Sequence, residues 1–300
     1  MGSFFVQTHP TRLGFGCAAL DRVSEAEALT LLETALDHGI QHFDTAPLYG
    51  WGASEARLGA LAARRRADMV LVTKVGLDPP NLMQRVAGKF LRGAAPDLVN
   101  AQRGLFSPAQ VRASVERSLA ALRTDRIDAL LLHEVRAGEI SAPLLETLAA
   151  LKREGKVIRV GLATQPNETT AILNAHRGIF EVIQVSLAGL AAVESADLGA
   201  NALRVVHSVL AARLTGLCEK LARDQDAAGK FTQTFGVAAQ DRAGIAELLL
   251  RDAISRNPAG VALFSSTTPA HIKAAARVAS EVKAVESSPA PLLGALLADA

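Results

Sequence analysis

Aromatic residues are scarce in this 300-residue chain: they make up 4% of it, with ten phenylalanines but a single tryptophan and a single tyrosine. Cysteine is scarcer still. Cys17 and Cys218 are too few for a disulfide framework or, by themselves, a zinc site, so no metal centre is expected and a reducing cytoplasm is the simplest compartment. No apolar run approaches the roughly 20 residues of a membrane span. The opening stretch MGSFFVQTHPTRLG has neither the basic segment nor the apolar run of a signal peptide, and Val6 stands where a myristoylation pattern wants Ser or Thr. Neither sign of charge dominates: 32 Lys and Arg against 30 Asp and Glu leave a net +2, interspersed, which excludes the electrostatic footprint of a nucleic-acid binder. The one basic cluster, Arg64 to Arg66, closes a helical pattern, where cations complement the helix dipole.

What the chain has in quantity is apolar surface to bury, with 49% hydrophobic and 21% charged residues. Short apolar runs alternate with longer helical patterns. SEAEALTLLETALDHG opens with a Ser24/Glu27 capping-box spacing and closes on Gly39; SPAQVRASVERSLAALR is a helix capped by Ser107 with Pro108 at its first position. Between and after them run the apolar stretches LGFG, IQHFDTA, MVLVTKVG, IDALLLHE, KVIRVGLAT, FEVIQVSLAGL, LRVVHSVL and GVALFSS, the last followed by TPAHIKAAARVASEVKAV. Near-continuous apolar strands alternating with amphipathic helices imply a parallel sheet covered by helices, and eight such units favour a single-domain (β/α)8 TIM barrel over residues 1–300. An open doubly wound sheet would want a G-x-G-x-x-G turn after the first strand, which GFGCAAL does not supply. Two connections, 77–106 and 211–241, read as long loops and candidate walls of a binding site. With eight helices assigned to the barrel no amphipathic element is left over, so the oligomeric state is not legible.

In such a barrel chemistry sits at the C-terminal ends of the strands. Asp44 ends the second strand with Tyr49 in the loop after it, Lys74 shares a face of the third strand with Val70 and Val72, and His133 ends the fourth. Singly these are ordinary residues, as a solvated lysine, a structural histidine or a turn aspartate. Together they form a working unit. An ammonium stabilises a phenolate and eases proton donation, a carboxylate keeps a buried ammonium charged, and an imidazole orients a carbonyl oxygen.

The stretch GIQHFDTAPLYGWGASEARLG, with VTKVG on the third strand and LLLHE on the fourth, resembles the signature of the aldo-keto reductase family. The resemblance implies a (β/α)8 barrel binding an extended nicotinamide cofactor, with a catalytic tetrad at Asp44, Tyr49, Lys74 and His133 in which Tyr49 is the proton donor. Trp51 becomes a wall of the substrate pocket or, equally, an apolar cover for the barrel mouth. The family holds the carboxamide with a Ser-Asn pair and a Gln; here Ala163 and Thr164 occupy the pair, Thr164 keeping a donor, and Gln184 matches the Gln. In HSVLAARLTG, Ser208 and Leu210 match a segment that covers the pyrophosphate, whereas His207, Val209 and Ala211 depart from it. Ser265, Ser266 and Thr267 before the helix at Pro269 suit the adenosine phosphate or simply cap that helix, and His271 or Lys273 could reach a 2′-phosphate. NADP(H) is favoured, with NAD(H) as the alternative.

The expected partner is a small-molecule carbonyl or alcohol; Lys89, Arg92 and Arg103 would favour an anionic one unless they are solvated loop charges. Two other readings stay open. One is a non-catalytic nicotinamide-binding regulator, suggested by the weakened motifs at Ala163 and Ala211. The other is a Schiff-base lyase in which Lys74 attacks a carbonyl.

Overall fold

In the computed structural model, which describes residues 12–79, 102–194, 202–282 and Leu293, eight short parallel strands close into a barrel in sequence order. They are β1 (Leu13–Gly16), β2 (His42–Asp44), β3 (Val70–Val75), β4 (Ile127–His133), β5 (Val157–Ala163), β6 (Val182–Ser186), β7 (Leu203–His207) and β8 (Val261–Phe264). The helices between them are α1 (Glu25–Asp37), α2 (Ala53–Arg65), α3 (Pro108–Leu122), α4 (Ala142–Arg153), α5 (Pro166–Ala175), α6 (Leu190–Glu194), α7 (Ala211–Arg223), α8 (Gln225–Phe235) and α9 (Arg242–Arg256), with α10 (Pro269–Glu281) after β8. This is the (β/α)8 architecture that the alternating pattern implies.

The helices begin where their caps put them. Ser24 and Glu27 satisfy each other's backbone N–H at the start of α1, and Ser107 with Gln110 does the same for α3, whose Pro108 has no N–H to leave unpaired. The segment ends that flank the first long connection are pinned by a pair of backbone bonds between Asp78 and Gln102. The expectations for the opening stretch and for Lys89 and Arg92 fall on residues 1–11 and 80–101, outside the described residues.

The period of two along each strand separates the barrel's inside from its outside. Val70, Val72, Ala129, Leu131, Val182, Leu203, Val205, Val261 and Leu263 form one apolar cluster within the barrel. The alternate residues, such as Phe43, Leu71, Leu130, Leu132, Ile183 and Val206, join the larger core under the helices. Continuing the inward series by one step on each strand reaches Asp44, Lys74, His133, Gln184, His207 and Ser265, and all six line a single cavity at the C-terminal mouth.

Residues 211–241 are not a loop. They carry α7 and α8, two amphipathic helices beyond the eight of the barrel, so an amphipathic element is left over after all. Leu217 and Leu221 of α7 and Ala227 and Phe231 of α8 bury themselves against Ile245, Leu249 and Leu293 in a third cluster. The leucines at 214, 217 and 221 follow helical spacing, and Asp224 caps α8 by accepting from the Ala227 N–H at 2.9 Å. Arg213 fastens α7 to α9 through the buried Asp252 carboxylate at 2.6 Å.

Candidate active site

Asp44 and Lys74 are brought together because they lie on adjacent parallel strands, with Asp44 in register with Val72, two residues before Lys74. The Lys74 ammonium donates to Asp44 Oδ1 at 2.7 Å, to the Thr45 carbonyl at 2.9 Å and to the Tyr49 hydroxyl at 3.2 Å. Lys74 is 2% exposed and Asp44 3%. Burial alone would push the ammonium's pKa down; the Asp44 carboxylate and Tyr49 more than offset this and hold it above the ordinary lysine value. An ammonium committed to three oxygens and held in the charged form is no nucleophile, which removes the basis for a Schiff-base role.

Tyr49 reaches Lys74 from a turn that its own sequence makes. Gly50 and Trp51 both take left-handed backbone, at φ 55°, and a Cβ on Gly50 would lie 2.5 Å from that of Asp21. Just past the turn, Ser54 donates to the Cys17 carbonyl and shares a hydrogen bond with Thr45, while Glu55 accepts from Thr73 at 2.7 Å beside Lys74. The motif residues around Tyr49 therefore tie β2, β3 and the start of α2 into one frame. Tyr49 differs from expectation in one respect. Burial raises its pKa by more than Lys74 lowers it, so the phenol stays protonated above its ordinary value.

His133 stands edge-on to the Tyr49 ring, with ring centroids 6.3 Å apart. Burial, and then Lys74, Arg103 and His207, depress its pKa to about 3, so the imidazole is neutral. Its Nδ1 is buried with no hydrogen-bond partner among the described residues. A neutral ring beside a protonated phenol can orient a carbonyl oxygen without adding charge.

The same cavity, about 320 Å³, continues to Ala163, Thr164, Gln184, His207, Ser208 and Ser265. Gln184 is 4% exposed and its Oε1 has no partner among the described residues, an acceptor left open for an amide N–H. Thr164 is less free than the sequence implies. Its hydroxyl donates to the Val135 carbonyl at 2.8 Å, so towards the cavity it offers lone pairs instead of a proton. Ser208 has φ 59°, and its hydroxyl lies 2.9 Å from Nδ1 of His207. Glu134 and His207 line this cavity too; the sequence marks His207 only as a departure from the family segment and Glu134 not at all, although the inward period of β7 points to the first.

Ser265, whose hydroxyl donates to the Gly16 carbonyl at 2.7 Å, also lines a neighbouring groove of about 830 Å³ between α7, α9 and α10. Leu210 and His271 face this groove, as does Ser266, whose hydroxyl is engaged with the Thr268 backbone. Thr267 and Lys273 are exposed and line neither space, and Trp51, half exposed, is not among the cavity's lining residues. The groove's basic side chains are instead His271 and Arg242, the latter with no ion pair among the described residues. Its walls are mostly apolar, six alanines standing beside Leu214, Leu250, Phe264 and Val278.

A family model described as the aldo/keto reductase family matches residues 12–200, which include the tetrad and Gln184 but stop short of β7 and β8. The chain is 35% identical over 167 residues to a D-threo-aldose 1-dehydrogenase of a Pseudomonas species, covering 52% of this chain and 50% of that protein. It is 31% identical over 164 residues to an L-galactose dehydrogenase of Arabidopsis thaliana, covering 51% and 44%. The chain thus spans about half the length of the curated relatives it matches. Among solved structures, an aldo/keto reductase of Klebsiella pneumoniae in complex with NADP and acetate superposes with a TM-score of 0.69 at 21% identity, covering 95% of this chain and 90% of that one, a likeness of fold.

Proposed function

Since the chain belongs to the aldo/keto reductase family, we propose that it interconverts a small aldehyde or ketone and the corresponding alcohol, with Tyr49 giving or taking the proton at oxygen. The observation that carries this reading is the Lys74 ammonium held between the Asp44 carboxylate and the Tyr49 hydroxyl, beside a neutral His133. His133 would donate a hydrogen bond to the carbonyl oxygen and hold it near the phenol. As negative charge develops on that oxygen Tyr49 protonates it, and the fixed Lys74 charge stabilises the phenolate left behind. Asp44 keeps that ammonium charged and positioned.

A bound nicotinamide dinucleotide supplies the hydride. The orphaned Gln184 Oε1 and the Thr164 hydroxyl fit its carboxamide, and Ser265 joins that end to the groove that would take the adenosine half. Arg242 at the groove, where the Glu247 carboxylate is already paired with Arg277, favours the extra phosphate of NADP(H) over NAD(H).

Fluorescence titration of the wild type and Tyr49→Phe with NADPH and, separately, NADH tests the reading, followed by a carbonyl screen. Both proteins should bind NADPH more tightly than NADH, and the variant should lose turnover by about 10²- to 10⁴-fold. Absence of binding to either nucleotide overturns the reading; binding without turnover by the wild type favours the regulator instead.

A further inference from the structure

Two imidazoles line the catalytic cavity, and the reaction proposed above employs only His133. The other, His207, ends β7 at a position where the sequence departs from the family segment. Strand register carries it to the end of the site that fits the carboxamide. Gln184 of β6 is aligned with Val205 of β7, and Ser186 with His207, so that Gln184, Thr164 and His207 line one space of about 320 Å³.

His207 is equipped to change its charge where His133 is not. Its Nδ1 lies 2.9 Å from the hydroxyl of Ser208, a residue in left-handed backbone at φ 59°. A hydroxyl donates to a neutral imidazole nitrogen and accepts from a protonated one, so this partner serves both states of the ring. His133 Nδ1, by contrast, has no partner among the described residues. The other titratable groups facing the cavity are Asp44, Tyr49, Lys74, His133 and Glu134. Desolvation lowers the pKa of His207 and Lys74 adds to the fall, while the Asp44 and Glu134 carboxylates oppose it, so the ring gains its proton below the ordinary histidine value.

The two redox states of a nicotinamide dinucleotide share their phosphates and differ in the ring, which is positive when oxidised and neutral when reduced. We propose that His207, once protonated, opposes the oxidised ring, so that this site discriminates against NADP⁺ relative to NADPH increasingly as the pH falls. The inference rests on the cofactor placement proposed above. Its sign follows from linkage. An oxidised ring in the cavity makes His207 harder to protonate, and the proton on His207 weakens NADP⁺ by the same factor. Two unit charges sharing a partly hydrated cavity of this size interact strongly enough for about a tenfold change in affinity.

The test is a binding measurement on the full chain. NADPH is titrated by its fluorescence with rapid mixing, and NADP⁺ by competition with it, at about pH 8 and about pH 5, on either side of the ordinary histidine value. The proteins are the wild type, His207→Gln and His207→Arg. In the wild type the ratio of the NADP⁺ to the NADPH Kd should rise about tenfold between the two pH values. His207→Gln, always neutral, should hold the ratio near the wild-type value at the higher pH; His207→Arg, always charged, should raise it at both. General damage to the site and the ionisation of the shared phosphates affect both nucleotides and cancel in the ratio. Any pH dependence imposed by the other cavity groups persists in His207→Gln. A wild-type ratio that ignores pH, or the same rise in His207→Gln, overturns the discrimination. A rising ratio without turnover supports it although the reductase reading falls; turnover with a constant ratio overturns it alone, and absence of binding to either nucleotide overturns both.

Discussion

Lys74 and Asp44 illustrate how a residue proposed for catalysis is also a structural liability. Both are nearly fully buried, so each is tolerable only with the other present. Lys74→Met should leave an uncompensated carboxylate beneath the site and destabilise the fold by about 3–5 kcal/mol. Adding Asp44→Asn should recover part of that loss while leaving activity absent, which urea unfolding of the two single variants and the double variant would measure. The meeting of Asp44, Tyr49, Lys74 and His133 at the barrel mouth was legible in the sequence because strand period and motif spacing are local properties, and those fix which residues reach it. The state of Thr164 was not, because its proton goes to the carbonyl of Val135, contributed by the segment that follows the neighbouring strand β4. Nor was the protonation of Tyr49, which depends on how much water the whole mouth excludes.

At the scale of elements, the glycines divide sharply into those that permit contact and those that do not. Gly59 lets α2 lie against α3: a Cβ there would sit 2.2 Å from the Ala121 carbonyl oxygen, a backbone atom that cannot swing aside. Gly59→Ala should therefore destabilise by about 1–3 kcal/mol. Gly229, within α8, has open space where its Cβ would be, so Gly229→Ala should stabilise by about 0.5–1 kcal/mol through helix propensity. Thermal or urea unfolding of the two variants side by side would separate these outcomes. The eight strands were legible from their apolar runs, and α1 and α3 from their caps. The helices α7 and α8 were overlooked because barrel topology needs a single helix between β7 and β8, and three are present. The face that α10 turns to the groove was also hidden. His271 and Lys273 are two residues apart, and only the packing of α7 and α9 decides that the first faces the groove and the second solvent.

For the whole molecule, the imidazoles of the mouth couple the site to acid stability. The His133 pKa falls from an ordinary 6.5 to about 3 on folding, and that of His207, though the residue is exposed, is also lowered by desolvation of its ring. Between those values the unfolded chain binds a proton that the folded chain refuses, so stability drops as the pH falls from about 6.5 towards 3. His133→Gln should lose less stability than the wild type over that interval, as denaturant midpoints at pH 7 and pH 4.5 would reveal. On the proposed reading, the neutral ring that serves the chemistry should also set part of the acid limit of the protein.

The third apolar cluster carries a consequence for motion. Leu217, Leu221 and Phe231 pack chiefly against one another and against Ile245, Leu249 and Leu293, while Leu210 is the residue that also touches the main core. A small cluster held to the barrel through α9, Leu210 and the Arg213–Asp252 bond should behave as a cooperative unit of its own, opening while the strands remain closed. Since α7 forms one wall of the groove, such openings would gate entry to it, and a molecule seated there would slow the exchange of the α7 and α8 amides without touching most of them.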